Sequence, residues 1–150
     1  MTTTTDMPRA GAPWHFWVIV IIALLWNGFG GYDYTMSQLR GDAYFREMGM
    51  TDPQIAYMHT YPMWVTAVWA IGVWGSVLGS ILLLVRSRYA FHAFVASLAG
   101  LLASLVYAHL MTDGGQVMGQ QGMIMNAVVT AGCLFFVWYA WMMTKRGLLR

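Results

Sequence analysis

The chain has 150 residues, of which 59% are hydrophobic and only 9% charged, with a formal net charge of +2. An average soluble domain is about a quarter charged, so the composition excludes an ordinary soluble domain. The small positive balance also gives no electrostatic footprint for nucleic acid.

Four apolar stretches can be marked, at about 14–32, 63–85, 89–111 and 122–143. A hydrocarbon core of about 30 Å needs about 20 helical residues at about 1.5 Å each, and each stretch reaches that length. No charged side chain lies inside the last three. Barrel strands would alternate over about 10 residues, whereas these stretches are apolar on every face. The expected fold is all-α: one domain over 1–150, an integral membrane bundle of four transmembrane helices.

In chain order, residues 1–12 (MTTTTDMPRAGA) read as a flexible polar tail. Arg9 is the only positive residue ahead of the first stretch and no small-x-small cleavage site follows Trp26, so a retained helix is expected rather than a signal peptide. The first stretch reaches WNGFGGYDY, which reads as the outer end of helix one. The 33–62 connection is the largest element outside the apolar stretches. SQLRGDAYFREMG suggests a short amphipathic helix at the membrane surface. TDPQIAYM carries a helix start, with Thr51 as N-cap, Pro53 in the first turn and Gln54 at capping-box spacing. RSR at 86–88 allows only a tight antiparallel hairpin, and TDGGQVMGQQG reads as a flexible loop.

Orientation follows from the basic residues. Arg9, Arg86, Arg88, Lys145, Arg146 and Arg150 fall on one side, and only Arg40 and Arg46 on the other. The positive-inside rule makes the first side cytoplasmic, which gives an N-in, C-in topology with 33–62 outside. Trp14, Trp17, Trp138 and Trp141 would form an inner aromatic belt, and Trp26 and Trp64 an outer one.

Lipid supplies no hydrophobic force between helices, so contact depends on small residues. Gly72, Ser76 and Ser80 recur at four-residue spacing, with Gly75 and Gly79 beside them. The next stretch has Ala96, Gly100, Ser104 and Ala108. These stripes are expected to meet across the hairpin. Asn27 needs a hydrogen-bond partner in the apolar layer; Tyr34, Tyr61, His59, His109 and Asn126 are the candidates, and Gly30 and Gly31 should lie under close contacts. Asn27, Asp33, Tyr34, His59 and His109 together form a candidate outward-facing polar pocket.

His15, His92, His59 and His109 fall near helix ends, where haem would be unshielded, so no cofactor is expected. The chain has 13 methionines, many towards the outer side. With His59 and His109 they offer a soft donor set for Cu(I), although methionine is also a common packing residue and no metal site is assigned. Cys133 stands alone and reads as a small apolar residue. No nucleophile triad, HExxH or phosphate loop is present, so no enzyme is expected.

Three segments carry a resemblance: ALLWNGFGGYDY, TDPQIAYMHTYPMWV and WAIGVWGSVLGSILLLVRSRYA. They resemble a family of short, uncharacterised four-helix bacterial inner-membrane proteins, some of which carry the label sugar transporter. The resemblance runs from about Trp14 to the basic tail. It implies the four-helix fold and a multi-pass location in the inner membrane, and carries over no functional residues. The expected role is a non-catalytic accessory or structural subunit, in contact with the lipid bilayer and with other membrane subunits or a second copy of itself. The alternatives are an oligomeric small-solute (sugar-like) transporter and a copper-handling membrane protein.

Overall fold

The computed structural model describes residues 11–150, so the expected tail lies outside it except for Gly11 and Ala12. The described chain is helical throughout, without a strand. Its elements are α1 (Trp14–Arg40), α2 (Asp42–Glu47), α3 (Asp52–His59), α4 (Met63–Leu84), α5 (Tyr89–Val106, continued by a π turn at Tyr107–Met111) and α6 (Gly114–Lys145). Four helices are long and apolar enough to cross a membrane: α1, α4, α5 with its π turn, and α6.

Helix α1 is longer than its apolar stretch. It does not end near residue 32 but runs on to Arg40, which puts Asn27 midway along the helix rather than towards its end. The polar residues that suggested an end are accommodated inside the helix. Thr35 and Ser37 donate their hydroxyls to the carbonyls of Gly31 and Asp33, four residues back, each at 2.8 Å. Termination comes at Gly41, whose φ of 57° lies in the left-handed region that glycine adopts most cheaply. Trp26 also moves: it packs beside Gly132 in mid-bundle and does not belong to an outer belt.

The capping box of α3 forms as its sequence suggests. Thr51 Oγ1 accepts from the Gln54 amide at 3.4 Å, and Gln54 Oε1 accepts from the Thr51 amide at 3.0 Å. Pro62 acts as the N-cap of α4. The expected loop at 112–122 is instead the first turns of α6, broken at Gly119 with φ 71° and ψ −168°. The π turn before it leaves carbonyls without their usual donors, and the Thr112 hydroxyl donates to those of Tyr107 and Ala108 at 3.0 and 3.3 Å.

Helix α4 packs against both α1 and α5, and α6 packs on α5 and reaches α1 where the Phe16 and Tyr139 rings stack. At α4/α5 the two backbones almost touch. A Cβ on Gly100 would sit 2.6 Å from the Val68 carbonyl oxygen and 2.8 Å from the Gly72 nitrogen, and one on Gly75 would sit 3.2 Å from the Ser97 nitrogen. The Ser97 hydroxyl donates across this gap to the Gly72 carbonyl. Gly79 makes room for the Phe94 ring, which stacks on Phe136 at 5.4 Å and so carries the contact on to α6.

The expected α4 stripes therefore divide. Gly72, Gly75 and Gly79 face α5, whereas Ser80 faces α1. On α5, Gly100 and Ser97 lie in the contact, Ser104 is half-buried with its hydroxyl on the Gly100 carbonyl, and Ala96 is exposed. Ala96 lies off the face because the contact surface follows positions 93, 97 and 100, which α4 selects by its glycines.

The main buried cluster sits at the end of the bundle where α1 begins, built from Phe16, Val20, Leu83, Phe94, Phe136, Tyr139 and Met143. Leu148 and Leu149 join it, so the basic C-terminal segment folds back instead of trailing away. Arg150 and the hairpin exchange backbone bonds: its amide donates to the Arg86 carbonyl at 2.9 Å, and its carbonyl accepts from the Arg88 amide at 2.8 Å. These bonds hold Arg86, a non-glycine residue at φ 59°.

The glycine contact yields a paired test in detergent-solubilised protein. Gly100→Ala should lower unfolding stability by about 1–3 kcal/mol, because its methyl meets backbone that cannot move aside. Gly30→Ala, with nothing within 4 Å of its Cβ, should be neutral or gain up to about 1 kcal/mol from helix propensity. Equal effects of the two substitutions in denaturant melts would contradict the packing.

Candidate functional site

Polar chemistry in the bundle falls into three places. The first is the α1/α4 interface. Asn27, 7% exposed, donates Nδ2–H to Ser80 Oγ at 2.8 Å. Ser80 in turn donates to carbonyls at Ser76 (2.8 Å) and Ala23 (3.2 Å). None of the five candidate partners is used. A serine on α4 sits nearer in depth than any residue at the far end of the bundle, once α1 is known to continue past residue 32. The same face of α1 continues down α4 in antiparallel order. A Cβ on Gly31 would stand 3.4 Å from the Trp74 and Val77 side chains, and the Tyr34 ring stands edge-on to Trp69 at 4.8 Å. Gly30 makes no such contact.

The second place is a cleft of about 260 Å³ between the end of α1, the α2–α3 segment and the start of α4, with Ser37, Asp42, His59, Tyr61, Thr66 and Trp69 in its wall. His59 Nε2 lies 2.7 Å from Asp42 Oδ1 without hydrogen-bond geometry, which brings the end of α3 against the start of α2. The Tyr44 hydroxyl donates to Asp33 Oδ1 at 2.6 Å, which fixes α2 on α1. Burial, then that hydrogen bond and the carboxylate charge, push the Tyr44 phenol up to about 12. Arg40 pairs with Glu47 at 2.8 Å and Arg46 with Asp52 at 3.0 Å; these exposed pairs are worth about 0–1 kcal/mol each. Gln54 Nε2 reaches the carbonyls of Val117 and Met118 at 3.4 and 3.3 Å, and Tyr57 bonds Thr112 at 2.7 Å. The α2–α3 segment thus forms a cap tied to α1, α5 and α6.

The third place is a groove of about 420 Å³ between α5 and α6, whose lining includes His109, Met123, Asn126, Thr130 and Leu134. Gly114 and Gly115 let α6 start there, since a Cβ on them would meet the Tyr57 hydroxyl and the His109 ring.

The structure therefore joins Asp33 to the cap and places Tyr34 on α4, while His59 and His109 line separate clefts. Among the described residues no three of His, Cys, Asp and Glu converge. Ser80, Ser97 and Thr112 are partners that the sequence reading did not single out for these roles; their signal was a hydroxyl inside, or at the end of, an otherwise apolar stretch.

The Tyr44 anchor gives a pH test. The folded state favours the neutral phenol, so its contribution is complete below the ordinary phenol value of about 10 and is lost as pH rises from about 10 to about 12. The stability gap between the native chain and Tyr44→Phe, about 1–3 kcal/mol at neutral pH for a hydrogen bond to a carboxylate, should close over that window in thermal melts. A gap that stays constant from pH 8 to 12 would contradict the anchor. Comparison with protein-family models, curated proteins and solved structures finds no match for the chain.

Proposed function

We propose that the chain is a non-catalytic multi-pass protein of the bacterial inner membrane, N-in and C-in, serving as an accessory or structural subunit of a larger membrane assembly. One observation carries this reading. Only 17–28% of each span's apolar window is buried within the bundle. The other residues of each window keep partly or largely exposed surface for lipid or for other subunits. The polar side chains of the α1/α4 and α4/α5 interfaces are used between the helices themselves, as in Asn27–Ser80 and Ser97–Gly72.

The sorting of charge supports the orientation. Arg86, Arg88, Lys145, Arg146 and Arg150 lie at one end of the bundle, and Asp42, Glu47, Asp52 and Asp113 at the other, with Arg40 and Arg46 engaged by acidic neighbours there. The resemblance to short four-helix inner-membrane proteins supports the location.

Two experiments test the proposal. With Cys133 replaced by Ala, an impermeant maleimide on spheroplasts should label Met48→Cys and leave Gly11→Cys unlabelled; the reverse pattern overturns the orientation. Mild extraction of tagged protein should bring down larger membrane chains in fixed ratio. Elution free of any other chain, at native expression level, overturns the accessory role.

A further inference from the structure

The α5/α6 groove holds a polar group without a partner. The Thr130 hydroxyl is already spent on the Asn126 carbonyl at 2.7 Å, and the Asn126 carboxamide makes no hydrogen bond among the described residues. Its depth makes this costly. Trp74 is at the middle of α4, its neighbour Gly75 abuts Ser97, and Ser97 lies beside Cys133, which sets the mid-level of α6. Asn126 is seven residues away (133 − 126), or about 10 Å along the helix, inside a hydrocarbon half-thickness of about 15 Å. An amide there needs a protein partner.

We infer that this groove is the contact face of a symmetric homodimer, in which the Asn126 carboxamide of one copy pairs with the same group of the other. The chemistry selects a second copy. A carboxamide carries both donor and acceptor, so two of them satisfy each other. A two-fold axis along the membrane normal brings residues of equal depth together, so the match in depth is automatic. An unrelated partner would need its own polar group at that level. The α6 side of the groove runs Met123, Asn126, Ala127, Thr130, Ala131, Leu134, a spacing of three and four residues that forms a helix–helix seam. Its small residues allow close approach, and one asparagine in such a seam fixes register.

The inference rests on the membrane-spanning reading and not on the accessory role. The test uses the full chain, Cys133→Ala, in phosphatidylethanolamine–phosphatidylglycerol vesicles. Oxidation should cross-link Met123→Cys into a dimer, and should not cross-link Leu25→Cys, which is exposed on α1. In a lipid-dilution energy-transfer series, Asn126→Leu should weaken association by about three- to tenfold, the range of interhelical hydrogen bonds in bilayers. Should Asn126→Leu fail to insert, Asn126→Ala carries the same comparison. No dimer from Met123→Cys beyond that from Leu25→Cys, or a polar-to-apolar variant that associates as well as the native chain, overturns the inference. A monomer in vesicles that still brings down larger chains from native membranes overturns the dimer alone; a dimer that extracts without other chains overturns the accessory role alone.

Discussion

In a bilayer, apolar side chains gain nothing by leaving lipid for one another, so helices stay together only through close approach and interhelical hydrogen bonds. This constraint falls chiefly on α4, which packs against both α1 and α5. Its two working faces differ in chemistry. Towards α5 it presents Gly72, Gly75 and Gly79, and the backbones come within reach of Gly100 and the Ser97 hydroxyl. Towards α1 it presents Ser80, which receives the Asn27 amide while returning its own proton to backbone carbonyls. A bulky residue on the first face separates backbones. An apolar residue on the second leaves a buried carboxamide unpaired, which costs about 1–3 kcal/mol. The rest of the bundle is arranged around these contacts: Phe94 leaves the Gly79 notch to reach α6, and the α2–α3 cap closes the end at which α4 begins.

The two ends of the bundle are finished differently. At the basic end the chain folds its own terminus back, burying Leu148 and Leu149 and bonding Arg150 to the hairpin on both its amide and its carbonyl. Arg86 holds a left-handed backbone there, where glycine would be easier, and its Nε donates to the Leu148 carbonyl at 3.0 Å. At the acidic end the cap rests on side-chain bonds, Tyr44 to Asp33, Tyr57 to Thr112 and Gln54 to α6. The cap also buries two apolar clusters, Tyr44, Phe45 and Ile55 in one and Tyr57, Val65 and Tyr107 in the other, and the Tyr44–Asp33 bond adds a titratable tie to that packing.

How far this was legible in the sequence depends on the signal each feature leaves. Span length and apolarity are properties of composition, so the four membrane-capable helices could be read directly, as could the Thr51/Gln54 box, a local pattern. The end of α1 could not be read, because WNGFGGYDYT looks like a terminus. Glycine and hydroxyl residues weaken helix propensity, but tertiary contact with Trp74 and back-bonding by Thr35 and Ser37 keep the helix going. That error set Asn27 about one turn past the middle of its helix instead of at the middle, and hid Ser80 as its partner. Gly114 and Gly115 misled in the same way. They looked like loop, yet they are small because Tyr57 and His109 occupy the space beside them. The small-residue stripes could be located, but four-residue and three-residue spacings compete along α4, and only packing decides which residue faces which neighbour.

The Asn27–Ser80 bond offers the most direct test, since it joins the middle of α1 to the α4/α5 pair near the basic end of α4. A double-mutant cycle of Asn27→Ala and Ser80→Ala, read from reversible unfolding in mixed micelles, isolates it. The account predicts a coupling of about 0.5–1.5 kcal/mol, in the range of interhelical hydrogen bonds within membranes. Additive losses, with a coupling indistinguishable from zero, would contradict it.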